Sequence, residues 1–223
     1  MTLVRIDNIA GIPLYYDRYK SDSYGKSAVP MRPYINQAFL NRCTPCFDKL
    51  SSFLGTYGKG IEQIWSGGVG RAGTGTSYHH TNRAFDLDAL ILADGDRWIA
   101  TSFPERPHIY VAIESFLRTQ FGTVLNYQYN AAHQYHFHFD NGTNPGFNKY
   151  SKSRVTYLQN AIKYGFGGSL AVDGVWGPQT EVQTKLALKA LGLGSLSINA
   201  NWQSFLLETA KSCMDSEMAI VTA

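Results

Sequence analysis

The chain has no Lys/Arg-rich run, no apolar stretch that approaches the length of a membrane span, and no N-terminal segment built like a secretory leader. The first absence argues against nucleic acid as a partner, because phosphate binding needs a basic stripe. The second argues against membrane insertion. The third implies that a target outside the cytoplasm is reached either after a leader has been removed or by a separate export system. Cysteine is scarce as well: Cys43, Cys46 and Cys213 are all there are. Cys43-Thr44-Pro45-Cys46 has C-x-x-C spacing, but a cysteine zinc site needs further thiolates and Cys213 alone does not complete one. The pair reads equally well as a local disulfide or as two free thiols.

Charge is sparse, at 17% of residues, whereas 14 Tyr and 12 Phe make the chain rich in aromatic rings. A net charge of +3 favours approach to an anionic surface such as a cell wall. With 223 residues, 44% of them apolar, the chain can bury one large core or two small ones.

The apolar positions Ile35, Phe39, Phe47, Leu50 and Phe53 follow helical spacing and predict a helix over 33–54. A glycine-rich loop, Ser66 to Ser77, leads into Arg83-Ala84-Phe85-Asp86-Leu87-Asp88-Ala89-Leu90, which alternates like a strand. Residues 107–121 read as an amphipathic helix closed by Gly122, and Val124-Leu125 and Tyr135 to Asp140 read as strands. After Asn144-Pro145-Gly146 the composition shifts to helix, turn and helix, with helices expected near 154–164, 179–191 and 200–211 and Pro178 in a first turn. This predicts two domains, 1–150 and 151–223. The first is α+β, with helices and a small, mainly antiparallel sheet that carries the functional site. The second is a small three-helix domain.

Five of the six histidines fall in two short segments: His79 and His80, then His133, His136 and His138. His79 and Asp86 stand at the end of a loop and inside a strand, so both can face one point. His136, His138 and Asp140 alternate, and so project from one strand face. Neutral imidazoles and a carboxylate, three donors in all with one open position, are what a catalytic zinc ion requires. Asp88 and Asp140 share strand faces with these donors and read as carboxylates bonding an imidazole or as surface charges. His80 and His108 read as ordinary structural or surface histidines.

Ser77-Tyr78-His79-His80-Thr81-Asn82-Arg83-Ala84-Phe85-Asp86 resembles the S-x-H-x-x-G-x-A-x-D motif of the zinc D-Ala-D-Ala carboxypeptidases and endopeptidases, part of a wider group that includes lysostaphin-type enzymes. His133-Gln134-Tyr135-His136-Phe137-His138 resembles the H-x-x-H-x-H ending of the extensin-like branch of that group. Asn82 stands where the motif has glycine, and Tyr135 where relatives often carry Asp. The resemblance implies one Zn2+ per chain held by His79, Asp86 and His138. His136 would be the base beside it, and His133 a polar group facing the developing oxyanion. Ser77 and Arg71 would bind a substrate carboxylate, for which a guanidinium is well shaped. A competing assignment takes His133 as base and His136 as ligand.

Leu158-Gln159 and Val172-Asp173-Gly174-Val175-Trp176-Gly177-Pro178-Gln179-Thr180 resemble the motifs of the three-helix peptidoglycan-binding domain. Together the two resemblances imply zinc-dependent hydrolysis of peptide bonds in bacterial peptidoglycan, of D,D-peptidase or L-Ala-D-Glu endopeptidase type. Such a protein would be a monomer that acts in the periplasm or on the wall, as an endolysin or a delivered effector, and is exported by phage lysis or a secretion system. The alternative from another class is a non-catalytic peptidoglycan-binding protein with a structural zinc.

Overall fold

Strict alternation in Phe85-Asp86-Leu87-Asp88 and Phe137-His138-Phe139-Asp140 gives two strands with one aromatic face and one polar face. In the computed structural model, which describes residues 2–16 and 29–221, these strands pair antiparallel at the centre of the sheet, with His138 opposite Asp86 and Phe139 opposite Phe85. The described strands are β1 (Leu3–Arg5), β2 (Asn8–Ile9), β3 (Ile12–Tyr16), β4 (Val29–Pro30), β5 (Tyr34–Asn36), β6 (Ile61–Gly68), β7 (Ala84–Leu92), β8 (Arg97–Ile99), β9 (Thr123–Leu125) and β10 (Phe137–Asp140). The α-helices are α1 (Gln37–Gly55), α2 (Pro107–Gln120), α3 (Lys152–Asn160), α4 (Pro178–Ala190) and α5 (Asn199–Val221). The main sheet runs β2-β3-β6-β7-β10-β9, with β4 on β3 and β8 on β7, and among the described residues only the β3–β6 pairing is parallel. The class is α+β, as expected.

Helix α1 begins where Asn36 caps it, its side-chain oxygen accepting from the Phe39 N–H at 3.1 Å. Its buried face carries Phe39 and Phe47 onto Phe85, Phe121 and Phe139, with ring centroids 5.5 to 6.3 Å apart. On α2, Tyr110 meets Phe137 at 4.3 Å, and Trp98 stacks on the same ring at 5.7 Å. The apolar face of the β7–β10 pair is thus the floor of the core. Cys43 and Cys46 are free thiols buried in it, and desolvation pushes both up from the usual thiol range.

Helix α2 ends at Gln120, and Phe121 is already extended. Gly122 is therefore not its cap. A Cβ there would come within 2.2 Å of the Asn144 carbonyl and 2.5 Å of the Arg154 guanidinium, so the residue is glycine because another segment crosses it closely.

The helical segment packs on α2, with α3 also reaching β9. Tyr157 on α3 shares a 2.7 Å hydrogen bond with Ser115 on α2, and α5 runs along α2 with Trp202, Phe205 and Met214 in the same continuous buried cluster as Tyr110 and Phe137. Helix α5 continues to Val221, well past residue 211. Its last turns are held by Tyr57 donating to Asp215 at 2.9 Å and Arg106 donating to Glu217 at 2.9 Å. The two C-terminal motifs hold each other. The Gln159 amide donates to Asp173 and Thr180 and accepts from the Asp173 and Gly174 N–H groups, at 2.8 to 3.1 Å. Trp176 is half-buried against Phe147 at 5.5 Å, on the rim of a groove of about 840 Å³.

Candidate metal centre

His79 is delivered by one 3-10 turn, Tyr78–Thr81, at the end of the glycine-rich loop. The turn closes on Asn82, which takes the left-handed conformation, φ 54° and ψ 36°. Asparagine tolerates that region better than other residues with a Cβ, which is how this chain does without the motif glycine. The Asn82 side chain then donates to the Tyr34 carbonyl at 2.7 Å and fills the space over Gly70, where a Cβ would meet it at 2.2 Å. Arg83 stacks over Tyr78 at 4.9 Å and donates to Asn141 at 2.8 Å, tying the turn to the end of β10.

The structure brings three donor atoms together. His79 Nε2 lies 3.2 Å from Asp86 Oδ1 and 3.2 Å from His138 Nδ1, and His138 Nδ1 lies 3.0 Å from Asp86 Oδ1. Donors bound tetrahedrally to zinc stand about 3.3 Å apart, so the set fits a small divalent ion. The far nitrogens fix the tautomers. His79 Nδ1–H donates to the Val69 carbonyl at 2.9 Å, leaving the Nε2 lone pair for the ion. His138 Nε2 faces Asp140 Oδ2 at 3.4 Å, while Asp140 Oδ1 accepts from the Gly142 N–H at 2.7 Å.

The electrostatics couple the three groups. Burial alone would raise the Asp86 carboxyl, yet hydrogen bonds from His138 and His79 and the charge of His136 hold it well below the usual range. Burial would lower His138, but hydrogen bonds to Asp140 and Asp86 outweigh it and raise the imidazole to about 9.

His136 precedes β10, is buried, and has Nε2 3.5 Å from Asp86 Oδ1. His133 comes from the 3-10 turn Ala131–His133, its ring 5.2 Å from His136 and 5.9 Å from His138, and its Nδ1–H donates to Asn130 at 2.7 Å. These five residues line a cleft of about 500 Å³ with Gly67, Gly68, Gly70, Arg71, Ser77 and Ala132. The backbone of Arg71 is pinned on both sides, its N–H donating to the His79 carbonyl and its carbonyl accepting from His80 Nδ1, each at 3.1 Å. His80 thus steadies the cleft wall. Tyr135, by contrast, is an exposed side chain.

Sequence reasoning passed over Val69, Asn130 and Gly70. A backbone carbonyl carries no sequence signal, and Asn130 is visible only once the turn before His133 is known. No curated protein and no solved structure matches the chain. Residues 67–151, which contain the whole donor set and both flanking imidazoles, match the family model described as Extensin-like protein C-terminus.

Proposed function

We propose that this chain is a zinc peptidase that hydrolyses peptide bonds in bacterial peptidoglycan. The observation that carries the reading is the convergence of His79 Nε2, Asp86 Oδ1 and His138 Nδ1 within 3.2 Å of one another in a cleft that also holds His133 and His136. The match of 67–151 to the extensin-like family and the two histidine motifs agree with it.

Bound by the triad, zinc would polarise a carbonyl and acidify water, which is what amide hydrolysis at neutral pH demands. The chain supplies the rest. His136, buried beside the donor set with Nε2 3.5 Å from Asp86 Oδ1, takes the proton from the attacking water and returns it to the departing amine. His133, its Nδ1–H engaged by Asn130, presents Nε2 towards the oxygen on which charge develops. Ser77 and Arg71, which line the same cleft, hold a substrate carboxylate. The groove beside Trp176, bordered by Lys149, Lys185 and Lys189, offers the helical segment a surface for an anionic wall polymer. The protein would act in the periplasm or on the wall as a monomer, as an endolysin or a delivered effector.

The test is mass spectrometry of purified peptidoglycan fragments before and after incubation with zinc-loaded protein. Each cut should add one water and create a new pair of ends, and the fragment masses name the bond, D,D or L-Ala-D-Glu. Chelation should abolish the change. Fragments left intact by protein that retains its zinc would instead favour a wall-binding protein with a structural metal.

A further inference from the structure

The His133 turn does not stand alone. It is the far end of a loop, 126–133, whose near end is anchored in the core: buried Asn126 donates to Glu114 at 3.0 Å, and the Tyr127 N–H donates to the Tyr110 hydroxyl at 2.8 Å. Its outer part is held from the helical segment. Lys152, the first residue of α3, donates to the Tyr129 carbonyl at 2.9 Å and lies 5.1 Å from the centroid of the Tyr129 ring. Asn160, at the other end of α3, donates to the Gln128 side chain at 2.6 Å. The Tyr129 ring in turn stands edge-on to His133, 5.7 Å away at 82°.

Lys152 is exposed, but it starts from a fixed point and its stem is supported. The buried Arg118 guanidinium clamps the start of α3, donating to the Ser153 carbonyl at 2.8 Å and to the Val124 carbonyl at 2.9 Å. The Lys152 stem lies against Gly174, where a Cβ would come within 2.7 Å of it. The Val172–Pro178 loop, through Gly174, therefore supports the lysine, the lysine holds Tyr129, and Tyr129 flanks His133.

We infer that Lys152 is a positioning residue for His133, so that the helical segment braces the loop that carries one side of the catalytic cleft, in addition to any surface it offers the wall. The inference rests on the catalytic reading of His133. A displacement of the imidazole by an ångström or so is enough to cost rate without touching the metal.

The experiment uses the full-length, zinc-loaded protein. Lys152→Met keeps the stem and removes the donor. It should lower kcat on a soluble stem peptide about tenfold, leave KM and zinc affinity unchanged, and speed amide exchange across 127–133. Lys152→Arg should restore most of the rate. In a His133→Ala background, Lys152→Met should cost nothing further, because the two act in series. Unchanged exchange and kcat in an active protein would overturn the inference, as would a full additional loss on top of His133→Ala. Faster exchange in a protein that hydrolyses no stem peptide would support the bracing of the loop and overturn the proposed function.

Discussion

Two polar clusters in this molecule use similar side chains to opposite ends. At one, Lys59 reaches Asp94 at 2.5 Å and Asp96 at 3.1 Å, while Arg106 bonds Asp96 at 2.8 Å and Glu217 at 2.9 Å. Fixed cations meet fixed anions, and the cluster joins the β7–β8 turn, the entry to α2 and the last turns of α5. At the other, a carboxylate and two imidazoles crowd their lone pairs into one point at 3.0 to 3.2 Å, and His138 is driven to hold a proton. The first cluster is complete as it stands and works as a brace. The second gathers three donors that could hold a metal ion. Buried polar groups alone do not mark a functional site. Convergence of acceptors on one point does.

Substitutions should separate the two clusters. The largest effect is expected at the converging one: His138→Ala should lower zinc affinity by several orders of magnitude and reduce hydrolysis to background, read by chelator competition and by turnover. Next comes His136→Ala, which should keep the metal and lower kcat by about 10²- to 10⁴-fold, as loss of a general base does. If His136→Ala empties the site while His138→Ala leaves it full, the competing ligand assignment is right.

At the brace the pattern should invert. Arg106→Met should destabilise the fold by about 1–3 kcal/mol in a denaturant titration, because Glu217 and Asp96 lose a charged donor, and zinc affinity should stay within about twofold. Loss of zinc in this variant would show that the two clusters are coupled.

The smallest effect is a pH dependence. Burial alone would raise Asp96, but hydrogen bonds from Arg106 and Lys59 outweigh it and lower its carboxyl to about 2. A depressed folded-state pKa contributes stability that is present above the unfolded value near 4 and lost as pH falls towards 2. Melting temperature should therefore fall across that window, and Asp96→Asn should remove this contribution and flatten the slope. An unchanged slope would mean that other carboxylates carry the acid sensitivity.

The sequence made one of these clusters readable and hid the other. Asp86, His136 and His138 sit on or beside alternating strands, so the periodicity that buries Phe85, Phe137 and Phe139 also gathers the donors on the opposite face. His79 could be placed because a short turn leads straight into β7. The brace joins residues as far apart as Lys59, Arg106 and Glu217, and no local pattern predicts such meetings. Gly122 shows the same limit. It looked like a helix cap because glycine often is one, whereas the structure keeps it small for Asn144 and Arg154, more than twenty residues away. The full length of α5 was hidden for a similar reason, since its last turns are held by Tyr57 and Arg106.

X-ray absorption at the zinc edge of the purified protein shows whether the converging cluster holds zinc. A zinc centre there requires one zinc per chain with a shell of nitrogen and oxygen at about 2.0–2.1 Å, including the multiple-scattering signature of two imidazoles. That signature should vanish together with the bound metal in His138→Ala. A sulfur shell at about 2.3 Å, which would point to Cys43 and Cys46, or a protein that takes up no zinc from replete buffer, would contradict it.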